Sequence, residues 1–158
     1  GELPDSRLIA RKIAANRRRL CAAPAYLAAH GTPEAPKDLA SHNCIVLRQN
    51  DAAFGIWRLS RGKQSESVKV RGSLSTNDGE VALNWALDGQ GILMRAEWNL
   101  ADHLRSGRLV EVLGDYHTPP ADIYAVYLER LNLSAKVSCF VEHLRTFFRQ
   151  GETLAAWQ

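Results

Sequence analysis

The feature that most constrains the fold is the alternation of short apolar runs with helix-starting and helix-ending signals along the chain. Apolar runs bounded by turn-forming residues are typical of buried strands. Such strands are predicted at residues 20–23, 44–47, 56–59, 67–71, 91–94, 109–113 and 123–128. Helices are predicted at residues 24–30, 78–88 and 98–106, and from Ser134 onward. Strands and helices that alternate in this way predict an α/β fold.

The clearest helix signal lies in the middle of the chain. Asn77 is a favourable N-cap, and Glu80 follows three residues later, as in a capping box. The residues between Glu80 and Gly89 include the apolar side chains of one helix face. We therefore predict that Asn77 caps a helix over residues 78–88.

The charge of the chain is nearly balanced. Lys and Arg number 20 and Asp and Glu 17 in 158 residues, which gives a net charge of +3. This mild excess is spread along the sequence and is not the mark of a nucleic-acid-binding protein. The densest basic cluster is residues 17–19, preceded by Arg11 and Lys12. Two interpretations of it stay open: a phosphate-binding edge, or solvated charges beside a buried apolar segment.

Length and hydropathy limit the architecture and the location. With 158 residues and 46% hydrophobic content, the chain can form one ordinary core or two small lobes that share a hinge. No stretch approaches the roughly 18 consecutive apolar residues of a membrane span. Residues 1–30 also lack the order of segments that marks a signal peptide. We therefore expect a protein of the cytoplasm.

Metal, cofactor and catalytic signatures are missing from the sequence. Cys21, Cys44 and Cys139 are odd in number and lack CxxC spacing, which indicates neither a disulfide framework nor a zinc site. Residues 89–91 contain two glycines, but a predicted helix precedes them and a strand follows, the reverse of a dinucleotide-binding turn. No GxSxG elbow and no close pair of acids is present. We predict no metal, no cofactor and no enzymatic activity.

A series of short segments runs along the chain in a characteristic order. The run Asn-Arg-Arg-Arg-Leu-Cys-Ala-Ala-Pro-Ala-Tyr-Leu begins it at residue 16, and Ser-Thr-Asn-Asp-Gly-Glu occupies residues 75–80. Further segments of the series are residues 38–40, 42–44, 57–59, 89–92, 107–110, 123–127 and 133–137. Each segment is weak alone, but their order and spacing together are specific. The series resembles the effector-binding domain of LysR-type transcriptional regulators, and the resemblance covers residues 1–149.

The resemblance implies an α/β fold with two lobes of the periplasmic-binding-protein type. Residues 1–20 would be part of the first lobe, 21–124 the complete second lobe, and 125–150 the return to the first lobe. Residues 151–158 would form a tail. Family members carry a winged helix-turn-helix, a linker helix and two strand-helix units ahead of a segment like residues 1–6. DNA contact is therefore expected only through a domain absent from these residues, and the first lobe is expected to be partial.

The turn at residues 75–77 is the main candidate for ligand binding. Ser75, Thr76 and Asn77 precede a predicted helix, whose first backbone amides can donate to a carboxylate. The resemblance implies effector contact at this turn, whereas ordinary N-capping requires only one of these side chains. Asp78 opposes anion binding, because a carboxylate in the first turn already interacts with the helix dipole.

Five further residues complete the predicted ligand-binding set. The resemblance implies that Glu2 and Leu3 match the end of a first-lobe strand that lines the cleft in family members, with a frayed terminus as the alternative. Leu47, Arg48 and Met94 lie at the ends of predicted second-lobe strands. Core packing is the alternative for Leu47 and Met94, and a solvated strand-end cation is the alternative for Arg48.

These expectations define one main functional hypothesis and two rivals. In the main one, a small-molecule effector, expected to be an organic acid, binds between the lobes and modulates DNA binding by the absent domain. The full-length protein is expected to form a homodimer or tetramer and to make no membrane contact. One rival is a periplasmic solute-binding protein of a transport system, which shares the fold. The other is an enzyme of the same two-lobed architecture.

Overall fold

The computed structural model describes residues 7–48, 55–131 and 134–156. Its strands are β1 (Leu8–Ala14), β2 (Arg18–Ala22), β3 (Cys44–Leu47), β4 (Ile56–Arg61), β5 (Gln64–Lys69), β6 (Ser75–Thr76), β7 (Ile92–Ala96), β8 (Val110–Val112) and β9 (Ile123–Leu128). Its α-helices are α1 (Pro24–His30), α2 (Gly79–Leu87), α3 (Glu97–Arg105) and α4 (Ala135–Ala156). Short 3-10 helices occupy Pro36–Ser41 and Glu129–Leu131.

The chain divides into two units. The first contains the described residues up to Asn16 and from Pro120 onward, and the second spans Arg17–Pro119. The sequence placed the corresponding divisions at 20/21 and 124/125. The interpretation of these units as a partial first lobe and a complete second lobe stays a prediction.

The second unit is built on a five-stranded sheet in the order β6-β3-β7-β2-β8. Strand β3 is parallel to both β6 and β7, while β2 is antiparallel to β7 and β8. Strands β4 and β5 form a separate antiparallel hairpin. One isolated bridge joins this hairpin to the rest of the unit through Ser60 and His117.

The central strands of this unit are covered on both faces, which explains why they are continuously apolar in sequence. Along β2, Leu20 and Ala22 enter one buried cluster and Cys21 enters another. The first, which we call the hairpin-side cluster, includes Trp57 and Leu59 of β4. The second, the helix-side cluster, consists of Cys21, Ala23, Ile45, Ala82, Leu83, Ala86, Leu93, Leu100 and Leu109, and so draws on α2 and α3.

The first unit consists of an antiparallel pair and one long helix. Strand β1 pairs with β9 from Leu8 opposite Leu128 to Ala14 opposite Ile123. Helix α4 packs against β1, and Val141 on that helix is buried. None of the helices in the described part of the chain is both long and apolar enough to cross a membrane.

Most elements lie where the sequence predicts them. Helix α1 and strands β3 and β9 have the predicted bounds, and the other predicted elements agree to within a few residues. Strand β1 was not predicted, because Arg11 and Lys12 interrupt its apolar character. Helix α4 continues to Ala156 and so includes residues 151–156, which were assigned to a tail.

The basic cluster at residues 17–19 is largely engaged within the second unit. Nη2 of Arg19 lies 2.8 Å from Oε1 of Glu97, and its other terminal nitrogen pairs with Glu111. Nε of Arg17 lies 3.5 Å from Oε2 of the same Glu97. Because two of the three arginines pair with carboxylates, the structure favours an internal electrostatic role over a phosphate-binding edge.

The two cysteines in the core should be chemically inert. Cys21 and Cys44 are fully buried, whereas Cys139 on α4 is exposed. Burial raises the pKa of both core thiols to about 12, with a smaller contribution from Glu111 at Cys21.

Since the thiolate is the reactive form, we expect one fast-reacting thiol in the native chain at pH 8 and three after denaturation. Titration with a chromogenic disulfide reagent measures this, and Cys139→Ser should abolish the fast phase. Three fast thiols in the native chain would contradict the buried placement.

Candidate functional site

The carboxyl ends of three neighbouring strands meet at one edge of the five-stranded sheet, because β6, β3 and β7 are adjacent and parallel. Leu47 lies opposite Thr76 in register, and the amide of Arg48 donates a 2.7 Å hydrogen bond to the carbonyl of Thr76. Met94, predicted at the end of a strand, instead lies in the middle of β7, two residues before its end. Helix α2 begins three residues after β6 ends. The strand ends of an α/β sheet are the usual place for a ligand.

The predicted site residues are only partly brought together. Ser75, Asn77 and Arg48 are exposed at this edge, and Thr76 is half-buried. Leu47 packs against the helix-side cluster and Met94 against the hairpin-side cluster, so they occupy opposite faces of the sheet. Glu2 and Leu3 lie outside the described residues.

The N-cap of α2 is Asp78, so the prediction that Asn77 caps this helix is wrong. Oδ1 of Asp78 accepts hydrogen bonds from the amides of Glu80, at 2.9 Å, and Val81, at 3.3 Å. Both Asn and Asp are good N-cap residues, and sequence spacing alone does not separate neighbours. Two of the first amides of the helix are therefore already bonded, so the turn offers fewer backbone donors than the sequence suggested.

The hydroxyl of Thr76 also contributes to the turn. Oγ1 of Thr76 accepts a 3.1 Å hydrogen bond from the amide of Asp78. A hydroxyl that accepts one hydrogen bond still carries its own hydrogen and can donate it. The hydrogen bond to the backbone thus holds the Thr76 side chain in place, and its O–H group can donate a hydrogen bond to a ligand.

Arg95 is a polar residue of this edge that sequence reasoning missed. Its side chain is only 14% exposed, and Nη1 lies 3.6 Å from Oε1 of Glu80. Within the described residues, Nη1 has no hydrogen-bond partner. A Cβ atom at Gly79 would lie 2.5 Å from Nη2, so the guanidinium rests against the first turn of α2. The predicted strand stopped at Met94 because a charge followed, whereas β7 continues to Ala96.

The cap assignment can be tested by substitution. Asp78→Ala should lower the free energy of unfolding by about 0.5–2 kcal/mol, because two helix amides lose their acceptor. Asp78→Ser should restore most of this loss, and Asn77→Ala should have little effect. Urea unfolding followed by circular dichroism measures all three variants. A larger loss for Asn77→Ala than for Asp78→Ala would return the cap to Asn77.

His, Cys, Asp and Glu are the side chains that usually bind metal ions in proteins. Across residues 7–48, 55–131 and 134–156, no three of them are placed to hold a metal ion together. The edge presents hydroxyl and guanidinium groups, which bind anionic oxygens, beside the carboxylates of Asp78 and Glu80.

Comparisons with known proteins agree with this architecture. A family model described as the LysR substrate binding domain matches residues 1–149. The HTH-type transcriptional regulator DmlR of Escherichia coli K12 is 46% identical over 143 residues, which cover 90% of this chain and 46% of DmlR. The HTH-type transcriptional activator TtdR of the same strain is 44% identical over 149 residues, which cover 94% of this chain and 47% of TtdR. The chain thus spans about half the length of the curated relatives it matches.

Solved structures of similar proteins share the fold. Full-length AphB, a virulence activator of Vibrio cholerae, superimposes with a TM-score of 0.75 and 29% identity, over 90% of this chain and 48% of AphB. The regulatory domain of CrgA from Neisseria meningitidis gives a TM-score of 0.75 and 27% identity, over 92% of this chain and 71% of that domain.

The expected fold class, an α/β domain of the two-lobed periplasmic-binding-protein type, is confirmed by these matches. The relatives are transcriptional regulators and lend no support to a transport role. The chain belongs to the family of LysR substrate-binding domains, the sensory part of LysR-type transcriptional regulators.

Proposed function

We propose that the chain senses a small organic acid at the sheet edge where β6, β3 and β7 end. The observation that carries the proposal is the presence of the Ser75 and Thr76 hydroxyls and the Arg95 guanidinium around the start of α2. The exposed side chain of Arg48 adds a second cation at the same edge. Hydroxyl and guanidinium groups are effective donors to carboxylate oxygens.

The charges around the turn are compatible with an anionic ligand. The carboxylates of Asp78 and Glu80 alone would repel one. Arg95 supplies a largely buried positive charge beside Glu80, which offsets part of this repulsion. Arg95 attracts an anion more strongly than a fully exposed arginine would, because solvent screens a partly buried charge less.

Sensing requires that the effector bind one conformation of the regulator more tightly than another, since equal affinity for both shifts nothing. We infer that this difference is transmitted to a DNA-binding domain outside these residues, in a homo-oligomer in the cytoplasm. The relatives named as HTH-type regulators support this inference. The same comparison favours a sensory over a catalytic role.

The remaining members of the predicted ligand-binding set are Glu2, Leu3, Leu47 and Met94. Contact through Glu2 and Leu3 stays a prediction. Leu47 and Met94 also stay predictions, and since they face opposite clusters, a single small ligand on one face would touch only one of them.

The proposal is tested at Thr76. An effector is first found by a thermal-shift screen of small organic acids against the full-length protein, where a ligand at about 100 times its dissociation constant adds roughly 2.7 kcal/mol. Thr76→Val should then weaken binding by about 0.5–1.5 kcal/mol, because the shape is kept while one donor is lost. Calorimetric titration of both proteins measures the difference.

A matched control separates binding from stability. The hydroxyl of Tyr26 accepts a 3.0 Å hydrogen bond from the amide of Asn43, at the opposite, amino end of β3. Tyr26→Phe should lower stability and leave effector affinity unchanged. Unchanged affinity in Thr76→Val, or equal losses of affinity and stability there, would assign Thr76 a structural role only.

A further inference from the structure

The hairpin formed by β4 and β5 carries a concentrated positive charge. Residues 56–71 contain five basic side chains and a single carboxylate, Glu66. Their net charge therefore exceeds the +3 of the entire chain. The basic residues are Arg58, Arg61, Lys63, Lys69 and Arg71, and all of them are exposed. The near-balance of the whole sequence hides this local excess.

The hairpin has two different faces. Trp57 and Leu59 point inward and are buried in the hairpin-side cluster, with Glu66 opposite Leu59 in register. The outward face carries Arg58 opposite Ser67, Lys69 opposite Ile56, and Ser60 opposite Ser65. By register, the single carboxylate and Arg61 lie on the inner side, where both are exposed, and the outward face presents Arg58, Lys69 and three serines.

The cations of the hairpin differ from several others in the described part of the chain. Arg17, Arg19 and Arg95 each lie within ion-pair distance of a carboxylate. In the described part of the chain, Arg58 and Lys69 have no such carboxylate, and neither do Lys63 and Arg71. Arg61 instead stacks on the ring of Tyr116, at 4.8 Å from its centroid. Unneutralised charge held on an ordered ribbon attracts an anionic partner at low cost in conformational entropy.

The composition of the outward face favours phosphate groups over an acidic protein. Protein interfaces have a core of aromatic or large apolar side chains, and this face offers only Ile56, which is 43% exposed. Arg, Lys and Ser are side chains that contact DNA phosphates. Two-stranded ribbons are also an established DNA-binding element.

We propose that the outward face of the β4–β5 hairpin binds the phosphate backbone of duplex DNA without sequence preference. In the LysR resemblance, DNA contact is expected only through a domain absent from these residues. The hairpin would add a second, weaker and purely electrostatic contact, which is independent of the effector site.

The proposal is tested with the 158-residue chain and a short labelled duplex of arbitrary sequence, by fluorescence anisotropy over a range of salt concentrations. Each phosphate contact contributes about −0.9 to the slope of log K against log salt. The combined variant Arg58→Gln, Lys63→Gln and Lys69→Gln should reduce the magnitude of that slope by about 3 and weaken binding at least about tenfold at low salt.

The matched control removes the same charge elsewhere. Lys37, Arg108 and Lys136 are exposed and lie outside the hairpin, so their combined replacement by Gln should leave the slope nearly unchanged. An equal loss in the control would show that only net charge matters and would overturn the assignment. So would the absence of DNA binding by the unaltered chain at low salt. Polyglutamate that competes as well as unlabelled DNA would indicate an acidic protein partner instead. Circular dichroism confirms that each variant is folded.

Discussion

Trp57→Ala is expected to lower the free energy of unfolding by about 3–5 kcal/mol, the range typical of deleting a large buried aromatic side chain. Trp57 is 5% exposed and lies opposite Val68 on the inner face of the hairpin. It packs in the same cluster as Leu39 and Leu20, which belong to other elements of the unit. Its loss would leave a cavity between the hairpin and the sheet, because surrounding residues relax only in part.

Ile56 provides a control on the same strand. It neighbours Trp57 but points outward and is 43% exposed, so Ile56→Ala should cost less than about 1 kcal/mol. Guanidinium unfolding monitored by far-ultraviolet circular dichroism compares the two variants without relying on tryptophan fluorescence. A similar loss for both would mean that the hairpin is not part of the core. Since small domains have a total stability of about 5–15 kcal/mol, Trp57→Ala should remove a large fraction of it.

The elements that the sequence predicts correctly are those marked by residues within the element or next to it. Strand β3 is a short apolar run between polar residues, and α1 begins at a proline and ends at a glycine. Strand β1 carries no such signal. It is ordered by pairing with β9, more than one hundred residues away in the chain, and this partner is invisible to any local pattern. Strand β6 has only two residues and exists because it pairs with β3.

The sequence predicts a candidate site at the turn before α2, but not the contacts that the structure shows there. The position of Ser75 and Thr76 before a helix follows from spacing and from the family resemblance. The choice of Asp78 as cap depends on the backbone conformation of that residue, which is extended. The contribution of Arg95 depends on its packing against Gly79, which is sixteen residues away in sequence. Such contacts arise only when β7 and α2 are assembled.

Assembly of the site edge also depends on one glycine. Gly72→Ala is expected to cost about 3 kcal/mol, at the upper end of the effect of overpacking. A Cβ atom at this position would overlap the carbonyl oxygen of Cys44 and lie 2.9 Å from its carbonyl carbon. Both atoms belong to the backbone of β3, so the clash is relieved only by moving one segment away from the other.

The displacement would reach the site because the two segments are bonded on both sides of Gly72. The amide of Cys44 donates to the carbonyl of Arg71 at 2.8 Å, and the amide of Val46 donates to the carbonyl of Leu74 at 3.2 Å. We therefore expect faster hydrogen exchange at the Val46 amide in Gly72→Ala, as well as lower stability. Effector affinity should fall too, since β6 follows directly.

Gly62 supplies the control that separates close approach from backbone conformation. It has a φ of +61° in the hairpin turn, and no heavy atom lies within 4 Å of a Cβ built there. Gly62→Ala should therefore cost about 1–2 kcal/mol through conformational strain alone and should leave exchange at Val46 unchanged. Urea unfolding and amide exchange of both variants test this. If Gly62→Ala proves the more destabilising of the two, close packing of the 71–74 segment on β3 does not limit the stability of the unit.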